Sequence, residues 1–390
     1  MRTSCQLHGF SIPTLSSSDY PRVGRRPCHN LISRKYSASS IGKMAAKMKA
    51  LVTVEGKTAA VQEVDIPKPG EGEILVKVHY VAQNPTDWKA MLSVPPGRII
   101  GCDFAGTVED SNGSHWRKGQ RVSGFVQGAS TNPFRGVFAE YAVIEASLVY
   151  PIPDEVSYQD AAVIPLAFAT AVQAMFARLK LPEPSKPAKS VFPFLVSGGT
   201  SSVGQYAIQL AKLAGAFVVA TGSARNHEFL KSLGADAVVD YKDADWPEQV
   251  RKVTHDGLEL GLDCIFEKGT PEGVVKALSP TKGGHIVAIL PVNEVRDKLE
   301  SKKVRLESTI VYTVFERPLK YGSFDNCGEA TPHDKALWEK YLALLPELLS
   351  TGKIKPNRVR EFGGITDILA GFKEQQEGKV SAEKLVYRIS

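Results

Sequence analysis

The run Gly198-Gly199-Thr200-Ser201-Ser202-Val203-Gly204 constrains this chain more than any other stretch. A short apolar segment, Val191 to Val196, leads into it. Apolar residues at Ala207, Leu210, Ala211 and Ala214 follow on one helical face, which stops at Gly215. In a loop between strand and helix, glycines let the backbone approach a pyrophosphate, and the first N–H groups of the helix stabilise its charge. Read as G-x-G-x-x-G from Gly199, the loop has Ser201 in place of the middle glycine. Such loops also occur as plain turns, so the surroundings must decide. Here Phe217–Ala220, Ala237–Asp240, Leu262–Phe266 and His285–Leu290 follow as short apolar runs, each separated by a stretch of helix length. That is the grammar of βαβ units, and it predicts five parallel strands in a doubly wound sheet over residues 168–337. Pro193 argues that it lies at the entry or edge of its strand.

The end of the second strand selects among dinucleotides: an acid there binds a ribose 2′-hydroxyl, a cation a 2′-phosphate. The chain reads Ala220-Thr221-Gly222-Ser223-Ala224-Arg225-Asn226, with no acid until Glu228. Arg225 offers a fork matched to phosphate and Ser223 a hydroxyl, while Tyr241 stands where it could close the adenine side. NADPH is therefore the expected cofactor; the plainer alternative makes Arg225 a solvated residue of the next helix.

The half before this is built differently. From Lys49 to about Ala167, β-branched and aromatic runs are broken by Gly and Pro, and Glu73 to Tyr80 alternates as a half-buried strand does. After Trp338 the tail holds one helical stretch, Leu342 to Leu349, and a strand-like Lys384-Leu385-Val386-Tyr387-Arg388. Residues 338–390 are too few for a domain and are expected to complete the all-β region. The whole reads as α/β, with a Rossmann-type sheet beside a β-rich domain.

The formal net charge of +6 invites a nucleic-acid reading until the charges are placed. Residues 1–43 hold seven basic residues against Asp19, and beyond them basic and acidic residues balance at 41 each. A balanced body has no overall attraction for polyanions, so no nucleic-acid partner is expected. The leader itself is Arg- and Ser-rich and nearly free of acid, like a transit peptide, with Arg34 just before a possible cut after Tyr36. That reading places the protein in mitochondria. The other reading is an upstream extension that is never translated, with initiation at Met44 or Met48 and a cytoplasmic protein. No apolar run reaches the length of a membrane-spanning helix.

Cys102-Asp103 poses a sharper question, since both side chains can ligate metal. The cysteines stand at 5, 28, 102, 264 and 327, without C-x-x-C spacing, and the histidines show no H-x-x-x-H or H-E-x-x-H pattern. A catalytic zinc needs three protein ligands and an open position. The expectation is no metal: a buried thiol acting as a small hydrophobe, beside a carboxylate that takes backbone hydrogen bonds.

Taken together, "NPTDW" at Asn84–Trp88, "GCDFAG" at 101–106, the Ser-Ser-Val-Gly loop and "GKVSAEKLVYRI" at 378–389 resemble the medium-chain dehydrogenase/reductase superfamily. The likeness is strongest to its zinc-independent quinone-oxidoreductase-like branch and to the trans-acting enoyl reductases of fungal polyketide synthases. It implies a GroES-like fold for the β-rich domain. Zinc-dependent members carry Cys at the position of Asn84 and His-Glu at Cys102-Asp103. By the same resemblance Asn84, Pro85, Thr86 and Asp87 line the nicotinamide side, and Thr170, Ile289, Leu290, Val380 and Ser381 are cofactor contacts. Pro165, Leu166, Ala167, Phe168 and Ala169 would lie at the cleft between domains, although Leu166 and Phe168 also read as ordinary core. Ser308, Thr309, Ile310, Val311 and Tyr312 would lie near substrate.

The function implied is NADPH-dependent hydride transfer to the C=C of an α,β-unsaturated carbonyl, most readily an enoyl thioester. A carrier protein or polyketide synthase could present it to a monomer or homodimer. Quinone or enone reduction on free small molecules, and a non-catalytic NADPH-binding sensor or scaffold, are the competing readings.

Overall fold

The computed structural model describes residues 46–267, 269–317, 320–321, 324–325 and 332–390. The leader, with its expected cleavage site and the candidate start Met44, lies outside them, as does Cys327. The alternating stretch read from sequence up to Tyr80 lies in the strand Glu73–Ala82, whose Ile74, Val76, Val78 and Val81 pack in a core. The strand pairs with Asp103–Asp110 on one side and with both Tyr141–Glu145 and Lys384–Arg388 on the other. Across the sheet the order is Val359–Gly364, Lys384–Arg388, Glu73–Ala82, Asp103–Asp110, Arg121–Phe125, Val149–Pro151. The tail thus supplies two strands to the sheet of the first region, with Tyr387 opposite Val81 and Val386 opposite Ala82. A hairpin of Lys47–Val54 and Thr58–Asp65 stands apart as its own small sheet.

The second sheet is wholly parallel and has six strands rather than five. They are Phe192–Ser197, Ala216–Thr221, Ala237–Val239, Leu260–Asp263, Gly284–Ala288 and Val304–Ser308. The last was missed because it is short and charged on one side: Leu306 is buried while Arg305 and Glu307 form an ion pair at the surface. Counted in sequence, the strands lie in the order 3-2-1-4-5-6, the doubly wound arrangement whose switch point falls beside the first strand. That strand is central, so Pro193 marks its entry and not a sheet edge; Pro193 has no N–H for the ladder, and the strand begins only at Phe192.

One helix, Pro165–Val172, spans the expected domain boundary at Ala167 and continues into the π-helical segment Gln173–Arg178. Its side chains are buried throughout, as expected for a helix with apolar neighbours all round. The tail helix runs Pro332–Ser350, longer than the stretch expected from Leu342 to Leu349, and Trp338 and Tyr341 pack beside Phe168.

Candidate active site

The glycine loop sits between the first parallel strand and the helix Ser202–Leu213. Gly198 adopts φ +77°, and its N–H donates to Thr221 Oγ1 at 2.9 Å, while the Gly199 N–H donates to the Thr221 carbonyl at 2.8 Å. The next strand therefore holds the loop open. Ser201 caps the helix by accepting from the Gly204 N–H at 3.0 Å. Gly204 packs so closely that a Cβ would come within 2.3 Å of the Gly198 carbonyl oxygen. A twelve-residue helix N-terminus behind a backbone-lined turn at the switch point fits a dinucleotide pyrophosphate.

In front of this loop lies a cleft of about 400 Å³. Thr200, Ser201, Ser202 and Val203 line it from the parallel-sheet side, with Ile289, Leu290 and Thr309–Tyr312. Asn84, Pro85 and Thr86 line it from the β-rich side, with Leu166, Ala167, Thr170 and Val380. Sequence reasoning did not find Trp88, Lys89, Cys264, Ile265, Glu267, Gln375, Ala382 or Glu383, which also line the cleft. Cys264–Glu267 arrive at the switch point because the buried Asp263 accepts from the N–H groups of Ile265 and Phe266 at 3.0 Å and from Thr270 Oγ1 at 2.9 Å. Burial raises the Asp263 pKa, and those donors oppose the rise. Lys89 reaches across to Glu267 at 2.9 Å.

Several expected site residues do other work. Phe168 is fully buried, edge-on to Tyr206 at 5.6 Å, so the core reading applies to it. Pro165 starts its helix, and Ala169 is buried among core residues. Ser308 accepts from the Val292 N–H at 3.0 Å and orders a turn. Asp87 turns inward, where its Oδ2 accepts from the Asn84 N–H at 2.7 Å; burial pushes its pKa up to about 7. Ser223 accepts from Asn226 Nδ2, Ala224 N–H donates to Asp240, and Tyr241 is 52% exposed outside the cleft. Arg225 Nη2 donates to Ser381 Oγ at 2.9 Å, joining two residues that sequence had assigned separately to the cofactor. Asp240, directly after the third strand, brings an acid to this loop that the second strand's own sequence does not reveal.

The pair that posed the metal question is now defined. Asp103 is completely buried and takes three donors: Leu166 N–H at 2.8 Å, Asn84 Nδ2 at 2.9 Å and Lys384 Nζ at 2.6 Å. Lys384 is 2% exposed. Cys102 Sγ lies 3.4 Å from the Tyr312 hydroxyl, and burial raises its pKa so that it stays a thiol. Among the described residues, no three His, Cys, Asp or Glu side chains converge as a metal site. An amide, a saturated carboxylate and a neighbouring ammonium do not fit a catalytic zinc.

A phosphate-binding loop at the switch point, facing a cleft walled by a second domain, defines a dinucleotide-binding oxidoreductase. Residues 70–154 match the alcohol dehydrogenase GroES-like domain, and residues 202–317 match the family described as zinc-binding dehydrogenase. A trans-enoyl reductase of Alternaria alternata is 34% identical over 349 residues, covering 87% of this chain and 98% of the relative. A zinc-type alcohol dehydrogenase-like protein of Schizosaccharomyces pombe is 35% identical over 357 residues, covering 88% of this chain and all of the relative. The crystal structure of CurK enoyl reductase shares the fold, with a TM-score of 0.68 at 22% identity over 88% of this chain and all of that one. The chain belongs to the medium-chain dehydrogenase/reductase family.

Proposed function

We propose that this protein is an NADPH-dependent, zinc-independent reductase of the C=C bond in α,β-unsaturated carbonyl compounds, acting on enoyl thioesters. The observation that carries the reading is the donor set around Asp103. With Asn84 and Lys384 bound to that carboxylate, the described residues there do not fit a Lewis acid that would polarise a simple ketone. Conjugate reduction needs less: an oriented substrate and a hydrogen-bond donor for the developing oxyanion. Relatives matched over nearly their whole length and named trans-enoyl reductases support an enoyl substrate.

Thr200–Gly204 would hold the pyrophosphate, and Asn84–Thr86 with Thr170 would hold the nicotinamide end; bound there, the cofactor supplies a hydride. Arg225 and Ser381, already hydrogen-bonded to each other, would share the 2′-phosphate and bring the two domains onto one ligand. Asp240 is occupied by the N–H groups of Ala224 and Lys242, which hold its pKa low and leave it less able to take the 2′-hydroxyl.

The substrate is a small thioester, free or carried by an acyl carrier protein or polyketide synthase. Residues 1–43 are proposed as a mitochondrial leader, which N-terminal sequencing of the native protein checks: a start at Ser37 or Ala38 supports it, and a start at Met44 or Met48 rejects it. The catalytic reading is tested by following NADPH absorbance with crotonyl N-acetylcysteamine thioester and with small quinones. Consumption with the thioester supports it. Consumption with quinones alone moves the assignment to quinone reduction, and none with either removes it.

A further inference from the structure

Reduction of an enoyl group needs a proton at the α-carbon as well as a hydride at the β-carbon. The cleft's hydrogen-bearing groups are therefore the candidates for supplying it, and most are committed elsewhere. Thr170 Oγ1 donates to the Leu166 carbonyl and Thr309 Oγ1 to Gln173 Oε1. The Trp88 indole donates to Gln375, and Lys89 is paired with Glu267 at the rim. Thr200 to Ser202 belong to the phosphate loop. Cys264 is buried beside Ser201, which lowers its value as an acid, because burial raises the thiol pKa.

Tyr312 is hydrogen-bonded as they are, and differs from them in its acidity. It is the one phenol among the described residues lining the cleft, it is 4% exposed, and phenols are far more acidic than the aliphatic hydroxyls around it. It stands on the 3₁₀ turn Val311–Phe315, directly after the sixth parallel strand and Thr309–Ile310. Its hydroxyl lies 2.9 Å from Thr86 Oγ1 on the opposite domain and 3.4 Å from Cys102 Sγ beneath. Either oxygen of the Thr86–Tyr312 pair can be the donor, so the Thr86 O–H can turn to the phenolic oxygen, the arrangement that stabilises a phenolate once its proton has left. The buried chain Thr309–Gln173–Thr313–Asp334, with Arg178 bidentate on Asp334, fixes the turn from behind.

We propose that Tyr312 is the catalytic acid of the reduction, delivering its phenolic proton to the substrate α-carbon. The inference rests on the reductase reading above. As hydride forms the new C–H bond at the β-carbon, the C=C π electrons move toward the carbonyl as an enolate. The Tyr312 O–H bond then breaks, the enolate electron pair forms the α-carbon C–H bond, and the phenolate regains a proton from water. Cys102 has a contact here unrelated to metal: its sulfur lies 3.4 Å from the Tyr312 hydroxyl.

The test is Tyr312→Phe, which deletes one oxygen and keeps the packing. The substrate is 2-methylbut-2-enoyl N-acetylcysteamine thioester turned over with NADPH in D₂O, so that the α-centre records which face received deuterium. Wild type should give one α-configuration. In the variant kcat should fall about a hundredfold or more, the size of a general-acid contribution, with NADPH binding unchanged by fluorescence. The residual product should be racemic at the α-carbon. As a readout without cofactor, acetoacetyl N-acetylcysteamine thioester, whose enolate mimics the charged intermediate, should bind the variant at least about tenfold more weakly in calorimetry. Wild-type kcat in the variant overturns the proposal. So does a slow variant that keeps the wild-type α-configuration, because the hydroxyl would then serve the carbonyl and not the α-carbon. Failure of the reductase reading shows separately, as wild-type protein that leaves NADPH unconsumed.

Discussion

Replacing Lys384 by Met tests whether the buried pair with Asp103 holds the cleft together. The side chain keeps its length and loses its charge, so packing changes little. Asp103 is left fully buried with two donors in place of three, Leu166 N–H and Asn84 Nδ2, and without the ammonium at 2.6 Å. Removing one member of a buried ion pair costs about 3–5 kcal/mol, because the remaining charge is stranded out of water. Lys384 Nζ also donates to the Val163 carbonyl at 3.3 Å, a small further loss. Urea denaturation at neutral pH, followed by tryptophan fluorescence, should therefore show Lys384→Met losing about 3–5 kcal/mol. Neutralising the partner as well should recover part of it: Asp103→Asn with Lys384→Met should lie closer to wild type than the sum of the single changes, with a coupling of about 1–3 kcal/mol. Because the same carboxylate fixes Leu166 and Asn84, which line the cleft, dinucleotide binding should weaken in step. A Lys384→Met loss under about 1 kcal/mol, or strictly additive single and double variants, refutes the electrostatic account.

The remaining predictions concern titration, cofactor choice and metal. Asp87 holds its proton to about pH 7 in the folded state, against an ordinary 3.8. The native state therefore binds more protons between those values, so stability should fall on the order of a few kcal/mol as pH rises from 4 to 7. Asp87→Asn should flatten that slope in denaturation series at several pH values. Arg225→Ala should raise the Kd for NADPH roughly tenfold to a hundredfold by fluorescence titration while leaving NADH unchanged, the worth of a charge-assisted contact. An equal effect on both would return Arg225 to a surface residue. Gly204→Ala should abolish dinucleotide binding or folding, since its Cβ would press on the Gly198 carbonyl at 2.3 Å. Prolonged dialysis against a zinc chelator should leave reductase activity intact. One zinc per chain, lost on Cys102→Ser, would restore the metal reading.

The sequence read well where the signal is local. A glycine loop followed by an apolar helical face announces itself within about twenty residues, and the alternation of Glu73–Tyr80 does so within eight. The sixth parallel strand failed because half its side chains are charged, and Phe168 because a core helix and a cleft helix share one apolar pattern. Asp240 failed for a different reason: it reaches Ala224 only because neighbouring parallel strands bring their ends together.

What the sequence by itself determined is the kind of molecule: a doubly wound sheet with a phosphate loop, beside an all-β region, with an amide and a thiol where its resemblance to the zinc enzymes would put zinc ligands. Periodicity and turn chemistry are written residue by residue, so they survive without a partner. The tertiary structure alone decided what Cys102 and Asp103 do. Asp103 meets Lys384 across 281 residues, and Tyr312 meets Thr86 across 226. A buried charge must be matched and a buried hydroxyl must be bonded, but only the folded chain chooses with which group.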